Sequence, residues 1–115
     1  MRALRILLVE DDHNTRKCLV ELLTDEGHAV DACAQADAAL TRLAGAMYDV
    51  LVTDLVMPGM TGLELIGAAR TRQPSLPCFI MTGQEPQDVP GVAWIIKPID
   101  FHQLLESLAS LETAA

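Results

Sequence analysis

The chain has 115 residues, half of them hydrophobic and 21% charged, which suits one globular domain over residues 1–115 and excludes a disordered chain. Sixteen acids against eight bases give a net charge of −8, which argues against a nucleic-acid surface, since phosphate binding needs clustered Lys and Arg. No apolar run approaches the ~18 residues of a membrane span, and the short apolar start to Val9 is no signal peptide, so a cytoplasmic protein is expected.

Ile6-Leu7-Leu8-Val9 is a continuous apolar run, the mark of a strand buried on both faces, and it ends in Glu10-Asp11-Asp12. Leu19, Leu22 and Leu23 then recur at helical spacing, with Gly27 where a helix would stop. Ala29 to Ala34 is a weaker, alternating strand candidate. Leu40 and Leu43 mark a second helix, followed by Gly45. Val50-Leu51-Val52 is another buried strand, running to Asp54, and Leu63, Ile66 and Ala69 mark the helix after it. Phe79-Ile80-Met81 runs to Thr82, and Trp94-Ile95-Ile96 runs to Lys97-Pro98. The last helix starts near Asp100, an N-cap candidate, and carries Leu104, Leu105, Leu108 and Leu111. Cys18, Cys33 and Cys78 each lie in an apolar run without a Cys-x-x-Cys pair, so buried free thiols are expected. His13, His28 and His102 lack ligand spacing and are expected at the surface, without chemistry.

Strands alternating with helices predict parallel pairing, right-handed crossovers and helices on both faces: a five-stranded, doubly wound sheet. In such sheets function gathers at the carboxyl ends of the strands. Those ends carry Glu10-Asp11-Asp12, Asp54, Thr82 and Lys97. Acids on adjacent strand ends, about 5 Å apart, repel by ~3 kcal/mol at an effective dielectric of about 20. Shared protons, the lysine or a hard cation must offset that. A few carboxylate oxygens suit Mg²⁺, which keeps several waters and bridges to phosphate. A solvated acidic rim would account for any one of these acids, but poorly for all four strand ends together.

Val9-Glu10-Asp11-Asp12, the run from Asp54 through Met57-Pro58 to Gly62, Met81-Thr82-Gly83 and Lys97-Pro98 together resemble the response-regulator receiver family of two-component systems. The likeness covers essentially the whole chain, in order and at suitable spacings. It implies the flavodoxin-like receiver fold and a phosphorelay role in which Asp54 takes a phosphoryl group from a histidine kinase or histidine phosphotransfer protein, or from a small phosphodonor. It implies Mg²⁺ held by Asp11 directly, by Glu10 largely through water, by Asp54 and by the backbone carbonyl of Val56. Lys97 matches the lysine that pairs with Asp54 and then with its phosphoryl oxygens, and Thr82 the hydroxyl that turns toward them. Asp12 falls just past the acidic pair and fits a helix start. The Lys97-Pro98 bond is cis in relatives, and Gly62 fits a tight turn into the third helix.

Two features depart from the family. Only fourteen residues run from Gln84 to Lys97; a strand of ~5 leaves about nine, among them Pro86, Pro90 and Gly91. A mean helix of ~11 residues does not fit, so the family's fourth helix is predicted missing or reduced to a turn. That puts in doubt dimerisation through the helix 4–strand 5–helix 5 face, and resembles receivers of hybrid histidine kinases or standalone receivers more than DNA-binding regulators. Trp94 also stands where relatives carry a switching Tyr or Phe. Switching, filling the gap left by the helix, and an exposed partner contact all stay open, with packing favoured.

Three rivals remain. A phosphatase of the haloacid-dehalogenase type needs an acid two residues after its nucleophile, where this chain has Val56. A nucleotide- or flavin-binding sheet lacks its phosphate loop here. A degenerate receiver that only binds partners would not need the full set of acids, Thr82 and Lys97. An apolar Val56 offers an attacking water no hydrogen bond, so slow autodephosphorylation is expected.

Overall fold

The computed structural model describes residues 3–113. Its elements are β1 (Arg5–Val9), α1 (His13–Asp25), β2 (Ala29–Cys33), α2 (Ala36–Gly45), β3 (Val50–Asp54), α3 (Gly62–Arg72), β4 (Cys78–Thr82), β5 (Val92–Ile96) and α4 (Phe101–Thr113). All strand pairs are parallel, in the order β2-β1-β3-β4-β5. The chain steps outward from β1 to β2 and then crosses back to β3, so the switch in strand order falls between β1 and β3.

Alternation along the strands divides the interior in two. Leu7, Val9, Leu51 and Ile80 face Ala36, Ala39 and Leu43 of α2 and Leu65, Ile66 and Ala69 of α3. Ile6, Leu8, Val50, Val52, Phe79 and Met81 face Leu19 and Leu23 of α1 and Leu104 and Leu108 of α4. Aliphatic side chains do most of this packing, as the shortage of aromatics requires.

Helix ends follow local chemistry. Asp12 caps α1, its carboxylate accepting from the Thr15 N–H at 2.8 Å and the Thr15 hydroxyl at 2.7 Å. Gly27, at φ +94°, closes the other end, where its N–H reaches Thr24 O and that of His28 reaches Leu23 O. Thr61 and Glu64 form a reciprocal capping box at α3. Asp100 accepts from the N–H groups of His102 and Gln103 at the start of α4.

No helix forms between β4 and β5: the connection Gly83–Gly91 is an irregular strap, as the short spacing and its prolines predicted. Arg70 of α3 fixes its far end, with Nη2 donating to Gly91 O at 2.6 Å. Trp94 packs partly buried against the α3-side core, and its indole N–H is enclosed without an acceptor. Packing, the favoured reading of Trp94, is its position here.

Three expectations need correction. His28 is buried, not superficial; its Nδ1 accepts the Leu4 N–H at 3.0 Å, tying the α1–β2 turn to the start of β1. Cys18 is exposed. The buried stripe of α1 runs through Leu19 and Leu23, and Cys18 lies a fifth of a turn or more off that line, so an apolar neighbourhood in sequence does not bury it. β5 was expected to be covered on both faces, but it is an edge strand and Ile96 is 41% exposed. An apolar run marks burial only where neighbours lie on both sides.

Candidate functional site

Glu10, Asp11 and Asp54 converge at the carboxyl ends of β1 and β3. One carboxylate oxygen from each lies within 4.8 Å of the others. Glu10 is fully buried, Asp54 is 2% exposed and Asp11 faces solvent. Lys97, just beyond β5, reaches across β4 to place Nζ 2.6 Å from Asp54 Oδ1 and 3.1 Å from Glu10 Oε1.

Parallel pairing of β1 with β3 sets Val9 beside Thr53, so the residues that follow emerge together at the same edge. Close packing under the loop holds Asp54 there. The Gly62 N–H donates to Leu55 O at 2.8 Å, and a Cβ added at Gly62 would run into the Asp54 carbonyl. Gly62 is therefore required by close approach, rather than by the tight turn expected of it, since its φ is not positive. The Thr53 hydroxyl donates to Asp54 O at 3.0 Å, fixing that carbonyl from the other side.

The electrostatics leave the site short of positive charge. Burial, and then neighbouring Glu10, push the Asp54 carboxyl up to about 8, against the pull of Lys97. Burial alone would lower Lys97, but its bonds to Asp54 and Glu10 together raise it. Neither buried oxygen of Asp54 accepts a well-aligned hydrogen bond, despite the short ion pair. A buried carboxylate whose one close partner, Lys97, is poorly aligned is costly. The oxygen-only donor set, one carboxylate exposed and two buried, fits a hard divalent ion that would satisfy those lone pairs.

Thr82 ends β4, 4% exposed, and its hydroxyl accepts the Gln84 N–H at 3.0 Å. Lys97 donates its N–H to Thr82 O at 2.8 Å, and the Lys97-Pro98 bond is cis. Val56 sits in the β3–α3 loop with a side chain 65% exposed. Asp12 is held by Thr15, whose hydrogen bonds lower its carboxyl below the ordinary value, and it stands outside the cluster. Arg16 was not singled out from sequence. It lies one turn into α1 and donates Nη1 to Glu10 O at 2.9 Å; the only signal was a long cation placed to reach back from a first helical turn. Beside Lys97 opens a groove of about 360 Å³ lined by Asn14, Thr15, Cys18, Pro98, Ile99 and Phe101.

A doubly wound sheet with acids on two adjacent strand ends and a lysine reaching over them defines a class of signalling domain. The response regulator receiver domain model matches residues 6–109, and the chain belongs to that family. It is 38% identical over 114 residues to the response regulator FleR of Pseudomonas aeruginosa, covering 93% of this chain and 24% of FleR. To the two-component response regulator PhoP of the same organism it is 36% identical over 115 residues, covering 94% and 51%. The chain thus spans from a quarter to a half of these relatives. Its structure resembles the receiver domain of the hybrid histidine kinase CckA (TM-score 0.84, 32% identity, 93% and 97% covered). It also resembles the Thermotoga maritima response regulator TrrA in complex with Mg²⁺-BeF (TM-score 0.85, 29% identity, 93% and 97% covered). Among the described residues no helix is long and apolar enough to cross a membrane.

Proposed function

We propose that this receiver domain, spanning residues 1–115, is a phosphoacceptor in a two-component phosphorelay, with Asp54 as the acceptor. The observation that carries this reading is the buried Asp54 carboxylate, without aligned donors, 2.6 Å from Lys97 and inside the cluster with Glu10 and Asp11. An Asp54 oxygen attacks the phosphorus of a phosphohistidine on a histidine kinase or phosphotransfer protein. The P–O bond forms as the P–N bond breaks, and the electron pair leaves on the imidazole, which takes up a proton. Glu10, Asp11, Asp54 and the Val56 carbonyl would hold Mg²⁺, which when bound offsets the negative charge of the phosphoryl oxygens. Lys97 passes from the carboxylate to a phosphoryl oxygen, and the Thr82 hydroxyl leaves Gln84 to donate to another. The apolar groove beside Lys97 offers a partner helix a place to rest during transfer. Slow hydrolysis of the acyl phosphate resets the domain, in a cytoplasmic setting.

Incubation with acetyl phosphate or phosphoramidate and Mg²⁺ tests this. An added phosphate mass, base-labile and lost in Asp54→Asn, is expected. No adduct on Asp54 would sink the reading and leave a partner-binding module. Rapid phosphate release from many substrates would point to a phosphatase.

A further inference from the structure

The four ties on Glu10 differ in kind. Its N–H donates to Cys33 O of β2 at 3.0 Å, and its carboxylate accepts from Lys97 at 3.1 Å and from the Asp12 N–H at 3.3 Å. Its carbonyl accepts from Arg16 Nη1 at 2.9 Å, while Arg16 Nη2 lies 3.2 Å from His13 Nδ1. That carbonyl belongs to the rigid peptide plane joining Glu10 to Asp11, so its direction sets where Asp11 leaves the strand. Asp11 itself is exposed, and its carboxylate shows no hydrogen bond or ion pair among the described residues. Repulsion from Glu10 and Asp54 would swing it outward.

We propose that Arg16 is a positioning residue for the metal site, locking the Glu10–Asp11 peptide so that Asp11 stays aimed into the cluster. This rests on the proposed Mg²⁺ reading. Arg16 is well placed for the task because its own backbone is fixed in the first turn of α1, with its N–H on Asp12 O at 2.9 Å. A planar guanidinium reaches Glu10 O and the His13 ring with two separate nitrogens held in one fixed fork, which the single nitrogen of a lysine does not reproduce.

The sign of the effect separates this role from its alternatives. A cation that acts only through its charge repels Mg²⁺, and its removal should tighten binding. A residue that acts only on stability should leave Mg²⁺ affinity unchanged and lower the unfolding midpoint. A positioning residue, on removal, should weaken Mg²⁺ binding, by about tenfold for partners of this kind.

The experiment is calorimetric titration of Mg²⁺ into wild type, Arg16→Met, which keeps the apolar stem, and Arg16→Lys, with thermal midpoints measured in parallel. Expected are a Kd raised about tenfold in Arg16→Met and partial recovery in Arg16→Lys, which keeps a cationic donor without the planar fork. An unchanged or lowered Kd in folded Arg16→Met overturns the proposal; if that variant does not fold, folded Arg16→Gln takes its place, a raised Kd supporting the proposal and an unchanged or lowered one overturning it. Wild type that binds no Mg²⁺, or binds it equally in Asp11→Asn, brings down the metal reading itself, a result distinct from any Arg16 effect.

Discussion

Replacing the Asp54 carboxylate should stabilise the metal-free protein, and by an amount that depends on pH. Asp54 has its carboxyl pushed from 3.8 to about 8, burial being the largest cause. The folded protein therefore holds this proton to higher pH than the unfolded chain does. Its contribution to stability is complete below about pH 4 and is lost as pH rises toward about 8. At about 1.4 kcal/mol per pH unit, the interval from 3.8 to about 8 caps the cost at pH 8 at about 5–6 kcal/mol. Asp54→Asn removes that cost but also deprives Lys97 of its 2.6 Å partner, leaving only Glu10. A net gain of about 1–2 kcal/mol at pH 8 is expected, or roughly 4–8 °C in Tm. Thermal unfolding of both proteins in EDTA at pH 5 and pH 8 measures it, and saturating Mg²⁺ should close the gap by stabilising wild type. A variant no more stable than wild type at pH 8, or a gap that widens toward pH 5, would refute the reasoning.

Lys97→Met leaves Glu10 and Asp54 buried without a cation, so urea unfolding at pH 8 without metal should show a loss of about 2–3 kcal/mol, allowing for the lysine being one-third exposed. Gly62→Ala drives a methyl into the Asp54 carbonyl and should cost about 1–3 kcal/mol in chemical denaturation while slowing labelling by acetyl phosphate. Val56→Asn gives a water near the acyl phosphate a hydrogen-bond partner and should speed loss of the phosphoryl group, followed by the decay of the phosphate mass; an unchanged rate would remove Val56 from the account.

The reading from sequence reached the fold because its signals are local and independent of one another. Short apolar runs, helical leucine spacing and strand-end acids each fix one element, and parallel order follows from their alternation. The strap was legible by arithmetic, since nine residues with two prolines cannot hold a helix and two loops. What escaped depends on direction in space. Cys18 and Leu19 are neighbours in sequence but face different sides of α1. His28 is buried only because a turn brings it against Leu4 N. Arg16 carries no motif, and its relation to Glu10 O arises from a long side chain doubling back along the helix.

The missing helix changes how a charge at Asp54 could be felt elsewhere. Two side-chain ties hold the ends of the strap: Gly91 O takes Arg70 at one end, and the Gln84 N–H rests on the Thr82 hydroxyl at the other. The first ties the strap to α3 and is remote from the strand-end acids. The second uses the same hydroxyl that a phosphoryl group would claim. A hydroxyl has one proton, so donating it inward re-aims the oxygen that now serves Gln84. Trp94, with its enclosed N–H lacking an acceptor, lies on the face where a covering helix would otherwise pack. The element most directly coupled to the site is therefore the near end of the strap, and Trp94, packed against the α3-side core, reports whether a shift there spreads into that core. Tryptophan emission that stays constant when the BeF₃⁻–Mg²⁺ adduct forms, in protein shown by mass or calorimetry to have bound it, would exclude that route and direct the search to the groove between α1 and α4.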